Sequence, residues 1–151
     1  MDWIAFASML VAVVAVMYSV AISRSQRKQE RRNLFLSLNE QLMHPDLQRG
    51  RTLLRDLIND TQDAKDLFDR RQAEFWDISQ AVAMFDLLGL YVKRNYVDED
   101  LVMAEWGKTL TLVYEKHGES FIEAREISLG WPPYPHFKTL AKNARAKGKG
   151  H

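Results

Sequence analysis

The sequence predicts an all-α chain: one N-terminal transmembrane helix followed by a cytoplasmic bundle of four or five helices. Three observations predict it. Residues 3–22, "WIAFASMLVAVVAVMYSVAI", carry no charge, and from Arg24 to Arg32 the chain turns to five Lys or Arg against one Glu. The remainder repeats apolar residues at helical intervals, with no convincing strand.

The uncharged run is 20 residues long. At about 1.5 Å per residue, such a helix matches the roughly 30 Å hydrocarbon core of a bilayer. It shows no polar stripe, as a soluble helix of that length would. A cleavable leader fits less well, because Asp2 stands where a leader wants a cation and the run is too long. Arg24, Arg27, Lys28, Arg31 and Arg32 follow the run, which places the body inside the cell and the amino terminus outside, at the inner membrane. These five cations would also meet anionic lipid headgroups. Ala5, Ser8, Ala12, Ala15 and Ser19 recur at steps of three and four, a small-residue packing face for a second copy or for another membrane protein.

Residues 23–43 continue as a basic juxtamembrane helix, with Leu34, Leu38 and Leu42 four apart. The bundle domain is expected over residues 44–145. Pro45 suits a first helical turn; Leu47, Leu54, Leu57 and Ile58 then share a face, and Gly50 marks the close passage of another helix. Asp60, Asp63, Asp66 and Asp69 lack the glycine and closing Glu of a calcium loop and read as a solvated connection.

The strongest soluble helix holds Phe75, Ile78, Val82, Phe85, Leu88 and Val92 on one side and is apolar nearly all round from Ala81, which makes it the central helix. Asp86 interrupts it. A buried carboxylate needs a partner, and the neighbours one turn away offer none, so the partner must come from elsewhere. Asp98, Glu99 and Asp100 suit a helix start, Val102, Trp106, Leu110 and Val113 form its stripe, and Gly118 is its expected stop. Beyond it, Arg125 follows Phe121 and Ile122 on a core-facing position, and is the expected ion-pair partner of Asp86. Pro132, Pro133 and Pro135 make a rigid turn onto which Trp131 and Tyr134 should pack. A short helix follows with Phe137, Leu140, Ala141 and Ala144 inward. Residues 146–151 are expected to be a disordered basic tail.

The segment from about Leu34 to Ala144 resembles an uncharacterised bacterial family of single-span membrane proteins with a helical domain of unknown function. The resemblance rests on "MFDLLGLYVKRNYVDEDLVMAEWG" and "FIEAREI": an aromatic and an acid on one helix, then "DEDLV", then a later Arg. The family's acid is usually Glu, where this chain has Asp86. The resemblance implies helical architecture and a membrane anchor, and no activity.

Function classes narrow by elimination. Absence of cysteine excludes disulfides, thiol nucleophiles and thiolate zinc sites. His44, His117, His136 and His151 fall at no ligand spacing, and no phosphate loop or nucleophile elbow occurs. No catalytic residue, metal, cofactor or small-molecule substrate is therefore expected, and nucleic acid is not the expected partner. Net charge is segregated: the body from Asn33 to Phe137 holds 11 basic and 18 acidic residues, whereas Lys138 to His151 holds five basic and no acidic ones. The expected function is a membrane-anchored scaffold or accessory subunit. Two alternatives stand beside it: a peripheral binder of anionic lipid or nucleic acid through the basic ends, and an unrecognised hydrolase with His117 or Asp86 in a deep pocket.

Overall fold

The computed structural model describes residues 3–148, with side chains described from residue 15 onward. Helix α1 runs unbroken over Trp3–Leu42. Six further helices follow: α2 (Pro45–Leu57), α3 (Thr61–Arg70), α4 (Gln72–Lys93), α5 (Glu99–Val113), α6 (Glu119–Leu129) and α7 (Pro135–Gly148). A π-helical turn, Tyr114–Gly118, joins α5 to α6. The bundle thus has six helices, where the sequence suggested four or five.

Only the end of α1 enters the bundle. Phe35, Leu38 and Leu42 are buried at helical spacing, while residues 15–30 are exposed throughout. Among the described residues, no helix is long and apolar enough to cross a membrane. This overturns the single-span reading, and the anchor, the inner-membrane location and the inside-outside orientation, which all rested on it, fall with it.

The acidic stretch expected to be a solvated connection is instead helix α3. Asp60 caps it by accepting the Asp63 N–H at 2.8 Å, and Ala64 and Leu67 are buried beneath its polar face. The acids at steps of three masked a short amphipathic helix whose inward face is only two residues wide.

Helix α4 is the axis of the bundle, with Phe75, Ile78, Val82, Phe85 and Leu88 almost wholly buried. Two glycines set how closely its neighbours approach. A Cβ on Gly50 of α2 would lie 2.2 Å from the Asp77 carbonyl oxygen of α4. A Cβ on Gly89 of α4 would lie 2.5 Å from the His136 carbonyl oxygen of α7. Both contacts are with backbone, so neither can be relieved by turning a side chain. Phe85 stacks on Phe137 with centroids 5.3 Å apart, and Tyr114 meets Phe137 edge-on at 5.6 Å, which ties α4, α7 and the π turn into one aromatic core.

Helix α5 begins as the acids suggest, with Asp98 accepting the Asp100 N–H at 2.9 Å. Gly118 does not stop it. Its φ of −67° is helical, and the chain passes through the π turn directly into α6. Gly118 is instead a packing glycine, where an added Cβ would sit 3.0 Å from the Val113 carbonyl oxygen. The true stop is Gly130, at φ 72°, whose N–H reaches the Glu126 carbonyl at 2.8 Å. Of the two residues expected to pack the proline turn, Tyr134 packs against the core and Trp131 is 57% exposed. Helix α7 continues through Gly148, past residue 146 where the disordered tail was placed.

Candidate functional site

Asp86 and Arg125, the ion pair expected from the sequence, are not brought together. Oδ1 of Asp86 accepts the main-chain N–H groups of His136 at 2.7 Å and Phe137 at 2.9 Å. These are the first two N–H groups available in α7, since Pro135 has none. Asp86 is therefore a remote cap, delivered from α4 to the positive end of α7. One turn further along α4, Gly89 leaves room for the same end of α7.

Arg125 lies elsewhere, with its guanidinium carbon 5.1 Å from the centre of the Phe75 ring. Its Nε is buried and donates to no group among the described residues. A small hollow of about 300 Å³ opens beside it, lined by Phe68, Phe75, Ala124, Arg125 and Ile127. Phe68 and Ile127 are 39% and 64% exposed at its rim. Phe75 meets Phe68 edge-on at 5.0 Å and the exposed Trp76 at 5.7 Å.

A larger cleft, about 620 Å³, lies between α2 on one side and α5 with the π turn on the other. Arg51, Trp106 and His117 are its most constrained members. Nη1 of Arg51 donates to the Leu42 carbonyl oxygen at 2.6 Å, and its guanidinium lies over the rings of Trp106 and Phe85, 5.5 and 5.9 Å from their centres. Burial pushes the Arg51 guanidinium down from its ordinary value. Trp106 Nε1 donates to Asn39 Oδ1 at 2.8 Å. His117 Nδ1 lies 2.6 Å from the Ile58 carbonyl oxygen. A carbonyl can only accept, so Nδ1 carries the proton and a neutral His117 keeps Nε2 as an acceptor. His117 owes its position to the π turn, a local irregularity often found at functional sites. No sequence signal predicted that turn. His117 lines this cleft and Asp86 does not.

The remaining predicted residues are dispersed. Arg24, Arg27, Lys28, Arg31 and Arg32 line a shallow groove with Asp98 and Leu101 of the α5 start. With no spanning helix among the described residues, their assignment to lipid headgroups lapses, and with it membrane lipid or a membrane subunit as a partner. Of the small-residue stripe, the side chains of Ala5, Ser8 and Ala12 lie outside the described residues, and Ala15 and Ser19 are exposed. The cations near the carboxyl end face acids of the bundle: Arg145 reaches Glu115 at 2.9 Å and Lys147 reaches Asp100 at 2.8 Å. His151 lies outside the described residues. No group of three or more His, Asp or Glu is placed to hold a metal among the described residues.

A family model described as a domain of unknown function (DUF4760) matches residues 3–143. The match begins well before Leu34, so the amino-terminal helix belongs to the family pattern as much as the bundle does. No curated protein and no solved structure matches the chain.

Proposed function

We propose that this chain, which belongs to the DUF4760 family, is a helical interaction domain that holds a protein partner and carries out no chemistry of its own. The observation behind this reading is Arg125. Its buried Nε has no acceptor among the described residues, and Phe68 and Ile127 are exposed beside it. Leaving a buried donor unsatisfied costs about 1–3 kcal/mol, and more when it is charged. A partner's carboxylate removes that cost on binding. Exposed aromatic and aliphatic side chains around a half-buried Arg have the composition of an interface hot spot. The partner that fits presents an acidic side chain flanked by an apolar one.

A photo-crosslinking amino acid placed at Ile127, with Lys142 on α7 as the control position, tests this in the native host. The expected result is one adduct of defined mass from position 127, lost in the Arg125→Met background. Adducts that are equal at both positions, or indifferent to Arg125, would overturn the reading.

A further inference from the structure

The cleft between α2 and the α5–π-turn segment has no part in the docking face just described, and its chemistry is different. Its volume of about 620 Å³ lies within the roughly 300–1,000 Å³ typical of small-molecule sites. Met43, Leu54, Trp106, Leu112 and Val113 give it apolar walls. Arg51, Arg55 and Lys116 bring three cations against one acid, Glu105, although the body around them is net acidic. Arg55 is already paired with Asp56 at 3.0 Å. Arg51 has no carboxylate partner among the described residues. It is half-buried, spends one donor on the Leu42 carbonyl, and has its guanidinium carbon 5.5 Å and 5.9 Å from the centres of the Trp106 and Phe85 rings.

A guanidinium has five N–H donors in a rigid plane. With one donor spent on a carbonyl and two rings beside the group, a planar two-oxygen acceptor matches the N–H edge that remains. A phosphate also accepts a guanidinium fork, but its second charge calls for a further cation of comparable order, which exposed Arg55 and Lys116 do not supply. His117, fixed by Ile58, adds a second oriented polar group on the wall nearest the π turn.

We propose that this cleft binds a small organic carboxylate, an apolar body whose carboxylate is held by Arg51 and whose hydrocarbon part lies along Trp106 and Leu54. The site requires no chemistry at the ligand. Its ligand is one that a cell holds as a free acid, and the walls select for a flat or slender hydrocarbon over a sugar.

The test is a titration of the full chain, followed by amide and indole NMR signals, with 4-phenylbutyrate, the neutral 4-phenylbutanol, and phenyl phosphate. Saturable shifts of the Trp106 indole and of Leu54 and Val113 are expected with the carboxylate, at an affinity roughly tenfold or more above that of either analogue. Arg51→Gln should remove that preference. Because Arg51 also holds the end of α1, Thr109→Trp serves as a second variant, filling the cleft without touching the guanidinium, and should abolish binding in a chain that still folds. Equal affinity for the alcohol, preference for the phosphate, or binding that survives Thr109→Trp would each overturn the proposal.

Discussion

The carboxylate of Asp86 accepts the main-chain N–H of Phe137 at 2.9 Å, across 51 residues of chain. The same oxygen takes the N–H of His136. One side chain thereby fixes where α7 starts, and α7 carries the Phe137 ring that closes the core. Asp86→Ala should destabilise the chain by about 2 kcal/mol, and Asp86→Asn by less, because the amide keeps an acceptor and loses the charge. Denaturant unfolding measures both.

Asp86 and Arg125 serve different neighbours, so their effects on stability should be independent. Asp86→Leu and Arg125→Met should add within about 0.5 kcal/mol in a double-mutant cycle. A coupling well beyond that would mean that the two side chains meet in solution.

Three glycines separate close packing from helix propensity. Gly50→Ala and Gly89→Ala drive a methyl into the Asp77 and His136 carbonyls, and each should cost roughly 1–3 kcal/mol despite the better helix former. Gly107→Ala meets only Met103, at 3.9 Å, and should stabilise α5 by about 0.5–1 kcal/mol. Thermal or denaturant midpoints of the three variants give the comparison.

Burial, and then the charge of Glu119, push the Tyr114 phenol up to about 12. An unfolded tyrosine titrates near 10, so between these values the folded chain holds a proton that the unfolded chain releases. The stability this contributes is fully present below about pH 10 and is lost as pH rises toward 12. Phenolate absorbance, taken as the difference from Tyr114→Phe, should show one tyrosine ionising late. The variant's stability should fall less steeply over the same window.

The stripes of α4, α5 and α7 were legible because each is long enough for its period to show. Phe75 through Leu88, Val102 through Leu110, and Phe137 through Ala144 all face inward. Gly50 announced a close helix crossing for the same reason: a glycine among leucines has little other purpose. The partner of Asp86 was not legible. It is a pair of backbone N–H groups, and a backbone group leaves no letter in the sequence. Arg125 sits at a core-facing position as expected, but a ring and an open hollow meet it there, not a carboxylate. Helix α3 was hidden because its buried face is only Ala64 and Leu67, too short to beat four aspartates as a signal. The π turn was invisible because one extra residue per turn has no compositional mark, so the cleft that it shapes around His117 could not be foreseen. The membrane span was read from residues 3–22 as a block, and among the described residues no helix meets the length and apolarity that a span needs.

Arg125→Met should leave the isolated chain as stable or about 1 kcal/mol more stable, since it replaces an unsatisfied buried donor by a side chain of similar length. The same change should lower partner capture. Opposite signs for stability and binding at one residue mark a position kept for recognition.

The most direct measurement is a charge exchange across the interface. Once the protein crosslinked at Ile127 is in hand, its acidic contact residue is changed to Lys and binding is measured against the wild-type chain and against Arg125→Glu. The account predicts that Arg125→Glu alone loses binding to the natural partner and regains it with the reversed one. Wild-type affinity in Arg125→Glu, or a loss that the reversed partner does not restore, would contradict it.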